Sequence, residues 1–196
     1  MAINLLESLQ SNLGYAPITK IDPNTQKIKS DELPTAGRNL AQAAIPAVLL
    51  ALYKYGNTEQ GSNEILRGNT STDWLTEFLA ERKEDAIGRV SSYSGESKEV
   101  TDEAMKKIAA ESVRLIRQEI PENSTFETVK TFVNEQRNNI LPFLPAELQI
   151  GDLVNDTTID DRTNKMEGPM SNGMHFFEKL FSGSTTEKNE KTIEED

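Results

Sequence analysis

The sequence predicts an all-α fold: a single helical domain built from kinked helices and helical hairpins, with a disordered acidic C-terminal tail. Three observations carry that prediction. Apolar residues recur at three- and four-residue intervals in segment after segment. No long polar–apolar alternation, the mark of a half-buried strand, occurs anywhere. Glycine, proline and serine fall between the periodic segments, where helices start and stop.

Taken in order, Asn4 to Leu13 places Leu5, Leu6, Leu9 and Leu13 at helical spacing, and Gly14 closes the segment as a C-terminal cap. Residues 15–34 hold three prolines and read as a loop or short irregular helices. Thr35 to Tyr55 is helical by composition but carries Pro46, which has no N–H for the Gln42 carbonyl. A kink there, or a stop and restart with Pro46 in a first turn, is expected. A short helix from Thr58 to Leu66 ends at Gly68, and Thr72 is placed to cap a following helix with Asp73 in its first turn. That one helix is expected to carry Trp74, Leu75, Phe78, Leu79, Ile87 and Val90 inward.

Ser97 starts the clearest helix, in which Ala104, Met105, Ile108, Ala109, Val113, Leu115, Ile116 and Ile120 share one half of the wheel and Pro121 ends the run. Ser124 and Glu127 have the spacing of a capping box ahead of a helix burying Phe126, Val129, Phe132, Val133 and Ile140. The expected organisation is a helical domain over 1–150, then a turn-rich segment and a short amphipathic helix over 151–181, then a disordered acidic tail over 182–196. "AAIPAVLLAL" and "NNILPFLPAEL" share an apolar-Pro-x-x-Leu core, which suggests a helical repeat.

Composition narrows the function classes. The 196-residue chain has 21 Lys+Arg against 32 Asp+Glu, a net charge of −11, so phosphate backbones and anionic headgroups repel it and nucleic acid is not an expected partner. No cysteine is present, which removes disulfides, thiolate catalysis and Cys-based metal sites and fits a reducing compartment. The N-terminus lacks the pattern of a signal peptide. The apolar run from Leu40 to Leu52 falls short of the roughly 20 residues of a membrane span. A cytoplasmic protein is therefore expected, and Pro46 reads as a packing device in a kinked core helix rather than a ligand-gripping bend.

These blocks together resemble a bacterial family of all-helical proteins of unknown function, the YidB-like proteins. The similarity lies in "NLLESLQSNLG", a leucine-rich helix ending in Leu-Gly, and in "AAIPAVLLALYKYGNTEQGSNEIL", where Ile-Pro leads a leucine run. It continues in "GRVSSYSGESKEVTDEAMKKIAAESVRLI", although Ala110 and Glu111 stand near the place of a family proline. The resemblance covers roughly residues 4–120, with an echo to about 150. It implies a helical fold and no catalytic residue.

The motifs that would carry chemistry each lack a part. Gly56 to Asn63 has the glycine gap of a phosphate loop, but Ser62 replaces the lysine and no strand precedes it. Asp22 to Leu33 begins like a calcium loop, yet Lys27 replaces its glycine and Leu33 its bidentate glutamate. Asp152, Asn155, Asp156, Asp160 and Asp161 form an acidic cluster that reads first as a solvated loop, although such oxygens can hold a hard cation. His175, flanked by Met174, Phe176 and Phe177, reads as the edge of an apolar face. Lys106, Lys107, Arg114 and Arg117 share an arc of one helix with Glu99 and Glu103, an ion-paired solvent face rather than an anion stripe. No catalytic, cofactor or metal residue is assigned. The expected function is a non-enzymatic module acting on a protein partner or on itself. The alternative is a small-molecule or cation binder, or a hydrolase, using 152–161, and any function is expected within segment 151–175.

Overall fold

The computed structural model describes residues 3–21 and 36–154, all in the first of two units of the chain, Met1–Arg162. The fold is all-α. In order come α1 (Leu5–Leu13), α2 (Ala36–Gly56), α3 (Glu59–Arg67), α4 (Trp74–Leu79), α5 (Lys83–Ser94), α6 (Lys98–Glu119), α7 (Phe126–Ile140) and a short α8 (Ile150–Leu153). Single 3-10 turns join α4 to α5 and fill the α7–α8 connection. The candidate calcium loop over 22–33, Asn155 to Asp161, His175, the helix expected over 176–181 and the acidic tail lie outside the described residues.

The architecture follows from α2. Every residue from Leu40 to Leu52 is buried, Gln42 and Pro46 included. A helix apolar on all sides must be surrounded, and α1, α3, α4, α5, α6 and α7 all pack on it. The stop and restart at Pro46 does not occur, because α2 runs through the proline unbroken. An interior proline costs a helix about 3 kcal/mol, and burial on every side of this one offsets it. Among the described residues no helix is long and apolar enough to cross a membrane.

Most helix ends fall where the sequence placed them. The Asn4, Thr58 and Ser97 side chains cap α1, α3 and α6, and Gly14, Gly68 and Gly95 close α1, α3 and α5 with left-handed backbone. Three ends differ. Asp73, not Thr72, caps α4, its carboxylate accepting the Thr76 N–H at 3.2 Å. The single helix expected from Trp74 to Val90 is broken at Ala80, whose φ is +47°. The break lets the Lys83 ammonium reach back to Asp73 at 2.9 Å, whereas ten residues of unbroken helix would hold them about 15 Å apart. The capping box at Ser124 does not form. A turn from Ser124 N–H to Pro121 carbonyl (3.0 Å) holds the serine out of the helix, so Thr125 becomes the N-cap and Glu127 falls one residue short of the required position. The two proline segments also part company, since Pro142 lies in a 3-10 turn beyond the end of α7.

Close approach at the α2–α3 corner demands a small residue. A Cβ on Gly61 would run into the Tyr55 carbonyl oxygen. The Ser62 hydroxyl then donates to the Gly56 carbonyl at 2.5 Å, so the buried corner keeps its polar groups paired.

Two buried glutamines fasten the N-terminal segment to the helices. Gln42 of α2, 1 % exposed, accepts the Thr19 N–H at 2.8 Å and donates to the Thr19 and Phe143 carbonyls at 3.0 and 2.8 Å. Its amide replaces a peptide unit, pinning residues 15–21 and the α7–α8 connection at once. Gln136 of α7 does the same for α1. It accepts the Leu5 N–H, one of the helix's unpaired first-turn donors, and donates to the Ile3 carbonyl, both at 3.0 Å. Arg89 of α5 provides a third tie. Its guanidinium donates to the Leu148 and Gln149 carbonyls and to Asp152, at 3.3, 2.7 and 3.3 Å, docking α8.

Replacing Gln42 by Leu strands the Thr19 peptide group and the Phe143 carbonyl. Denaturant titration should show a loss of about 2 kcal/mol, and amide exchange at Thr19 and Ile21 should accelerate more than exchange within α6. A second substitution should go the other way. The Thr101 hydroxyl of α6 is buried with no hydrogen-bond partner among the described residues. Thr101→Val should therefore be neutral or stabilising by up to about 1 kcal/mol, read as a melting temperature equal to or above wild type.

Candidate functional site

Helix α6 packs inward through its apolar half and borders two surface grooves. The first is formed by Leu13 at the end of α1, by Gly68, Asn69 and Thr70 after α3, by Trp74, and by a stripe of α6, with a volume of about 380 Å³. Lys107, Ala110, Glu111, Arg114 and Arg117 make up most of that stripe, at intervals of three and four that put them on one face of the helix. The second groove, about 550 Å³, lies between the end of α6 and α7. Ile120, Pro121 and Phe132 supply its apolar surface, and Glu119, Glu127 and Glu135 its charge. Glu127, Thr131 and Glu135 line up because they stand four residues apart on α7.

The electrostatics of the first groove are uneven. Arg114 grips Glu111 through a two-pronged contact, and Asn12 of α1 donates to the same carboxylate at 2.8 Å. The Arg114 hydrogen bonds, with help from Asn12, hold Glu111 below the usual carboxylate range. Lys107 stands 3.9 Å from Glu103, and both side chains are largely exposed, so that pair is worth little. Arg117 donates to the Gly68 carbonyl at 3.3 Å and meets no carboxylate among the described residues. The Arg117 side chain lies over Gly68, whose φ of +57° favours glycine; a Cβ there would push the flexible guanidinium aside.

The expected ion-paired face holds for three of its four cations: Lys106 turns to Asp102 at 2.6 Å, Lys107 to Glu103 at 3.9 Å and Arg114 to Glu111, while Arg117 turns to the Gly68 carbonyl. What the face did not show is that Lys107, Arg114 and Arg117 also line a groove with Trp74. The linear sequence gave no hint of Leu13, Thr70 or Trp74 as its walls, because they meet only when α1 and the α3–α4 connector dock on α6. Nor did it mark the glutamates of the second groove, which sit on two different helices. Of the acidic cluster, Asp152 is described. It belongs to the short helix α8, not to a turn, because Ile150 and Leu153 are buried beside it, and it is engaged by Arg89 at 3.3 Å. Among the described residues no group of three or more His, Cys, Asp or Glu is placed to hold a metal ion. Ser62, the serine of the candidate phosphate loop, is fully buried and donates to the Gly56 carbonyl.

No protein-family model matches the chain, and no curated protein and no solved structure matches it either.

Trp74 owes its position to the cap beside it. Burial by itself raises the Asp73 pKa, but hydrogen bonds from Lys83 and from the Thr76 hydroxyl and N–H, with the Lys83 charge, outweigh it and hold the group at about 2 against an ordinary 3.8. A carboxyl depressed by folding contributes stability above its unfolded pKa, and the contribution is lost as pH falls through the folded value. Asp73→Asn keeps a capping side chain and removes the charge. Its deficit against wild type should be under about 1 kcal/mol, because the Asp73 side chain is open to solvent. Urea titrations should show it constant above about pH 5, shrinking as pH falls through about 2 and gone only near about pH 1.

Proposed function

We propose that this chain is a non-enzymatic, cytoplasmic protein-interaction module of the bacterial YidB-like kind, and that its partner presents a basic amphipathic helix to the groove between α6 and α7. The observation that carries the proposal is the pairing of an apolar floor with a rim of one sign. Phe132, Ile120 and Pro121 form the floor, and Glu119, Glu127 and Glu135 surround it. Helix-in-groove recognition places apolar anchors against such a floor and sets opposite charges around the edge. The net charge of −11 supports the choice of sign, since it draws basic partners toward the surface before contact. Family membership rests on the sequence blocks quoted above, and the cytoplasmic location on the absence of cysteine.

A labelled 18-residue Leu/Lys amphipathic peptide tests the reading by fluorescence anisotropy with the full chain. Saturable binding that weakens as salt rises is expected, and Glu127→Lys combined with Glu135→Lys should abolish it. Glu81→Lys combined with Glu84→Lys makes the same change in net charge at exposed positions away from the groove, and should reduce affinity only a few-fold. Equal losses in the two double variants would mean that net charge, not the groove, attracts the peptide.

A further inference from the structure

The other groove of α6 has the opposite character, and it stands independently of the α6–α7 site. Lys107, Arg114 and Arg117 line it with one carboxylate, Glu111, which is taken up by Arg114 and Asn12, while Lys107 is only loosely paired with the exposed Glu103 at 3.9 Å. The Arg117 guanidinium, on an exposed side chain, donates one of its five N–H groups to the Gly68 carbonyl at 3.3 Å, and the others have no carboxylate among the described residues. Beside it Trp74, only 5 % exposed, lines the groove. Thr70 adds a hydroxyl, while Leu13, Ala110 and Val113 supply an apolar wall.

We propose that this groove is a binding site for a small organic anion, a carboxylate or a phosphate monoester carried on an aromatic or branched apolar stem. Arg117 takes the anion in its planar fork, Lys107 closes over it as a mobile second charge, and the stem lies against Trp74 and Val113. Fixed guanidinium geometry suits both oxyanions, whereas an ammonium alone would select neither. The volume of about 380 Å³ matches one small ligand. An anion approaches against the charge of the whole chain, so recognition depends on these local groups and not on long-range attraction.

Trp74 is the chain's one tryptophan, so its emission reports on the groove directly. The full chain is titrated with phenylacetate, with phenyl phosphate and with the neutral phenylacetamide. At least one anion should shift Trp74 emission saturably at sub-millimolar concentration, and the amide should not. The better of the two anions identifies the headgroup. Arg117→Gln should weaken binding by at least about ten-fold, and Lys107→Gln, at an exposed position, by a smaller factor. The far-ultraviolet circular dichroism and melting temperature of each variant are recorded to confirm the fold. Failure of both anions to saturate, equal binding of the amide, or an unchanged affinity in folded Arg117→Gln would each overturn the proposal. So would binding of an acidic peptide in the absence of any response to the small anions.

Discussion

Helix α2 has no face it can give to water. From Leu40 to Leu52 its residues are buried on every side, and that requirement governs the remaining elements. A helix with one apolar stripe needs one neighbour, but a helix apolar all round needs a ring of them. The ring is made by α1 and α3 to α7. Each contributes a narrow stripe such as Leu5, Leu6 and Leu9 or Val129, Phe132 and Val133, and each leaves its other side polar. Pro46 is tolerated because it sits inside this ring.

Encirclement brings a polar cost that the chain meets with few side chains. Connecting segments laid against a buried helix cannot leave their peptide groups unpaired. Gln42 and Gln136 answer this by presenting amides that stand in for a missing strand or helix neighbour, each satisfying donor and acceptor together. Arg89 meets the same need at α8 by donating to two carbonyls and to Asp152. These three residues explain how segments of little regular structure, 15–21 and 141–154, hold fixed positions on a helical body.

Helix α6 shows how packing creates surface. Its buried half, from Thr101 to Ile116, fixes its rotation against α2. That rotation leaves one flank beside α1 and the α3–α4 connector, where arginines and lysine gather, while its end meets α7, where glutamates gather. Grooves of opposite charge thus lie along one helix of an acidic protein.

The sequence alone determined the helical class, the positions of α1, α3 and α6 with their caps, and the core faces of α6 and α7. Those features depend on local periodicity and on single residues such as Asn4, Thr58, Ser97 and Gly68, whose effect is felt within one turn. Only the tertiary structure decided that α2 passes unbroken through Pro46, that the chain turns at Ala80, and that Ser124 gives up its cap to a neighbouring turn. In each case a contact distant from the residue's own turn, or a competing local bond, outweighed propensity. The grooves belong to the same class. Lys107, Arg114 and Arg117 share a helix face and could be read as a stripe, but Trp74, Thr70 and Leu13 lie 33 to 104 residues away along the chain from the nearest or farthest of them. No periodicity links positions so far apart; α2 does, by requiring the helices that carry them to pack on a common core.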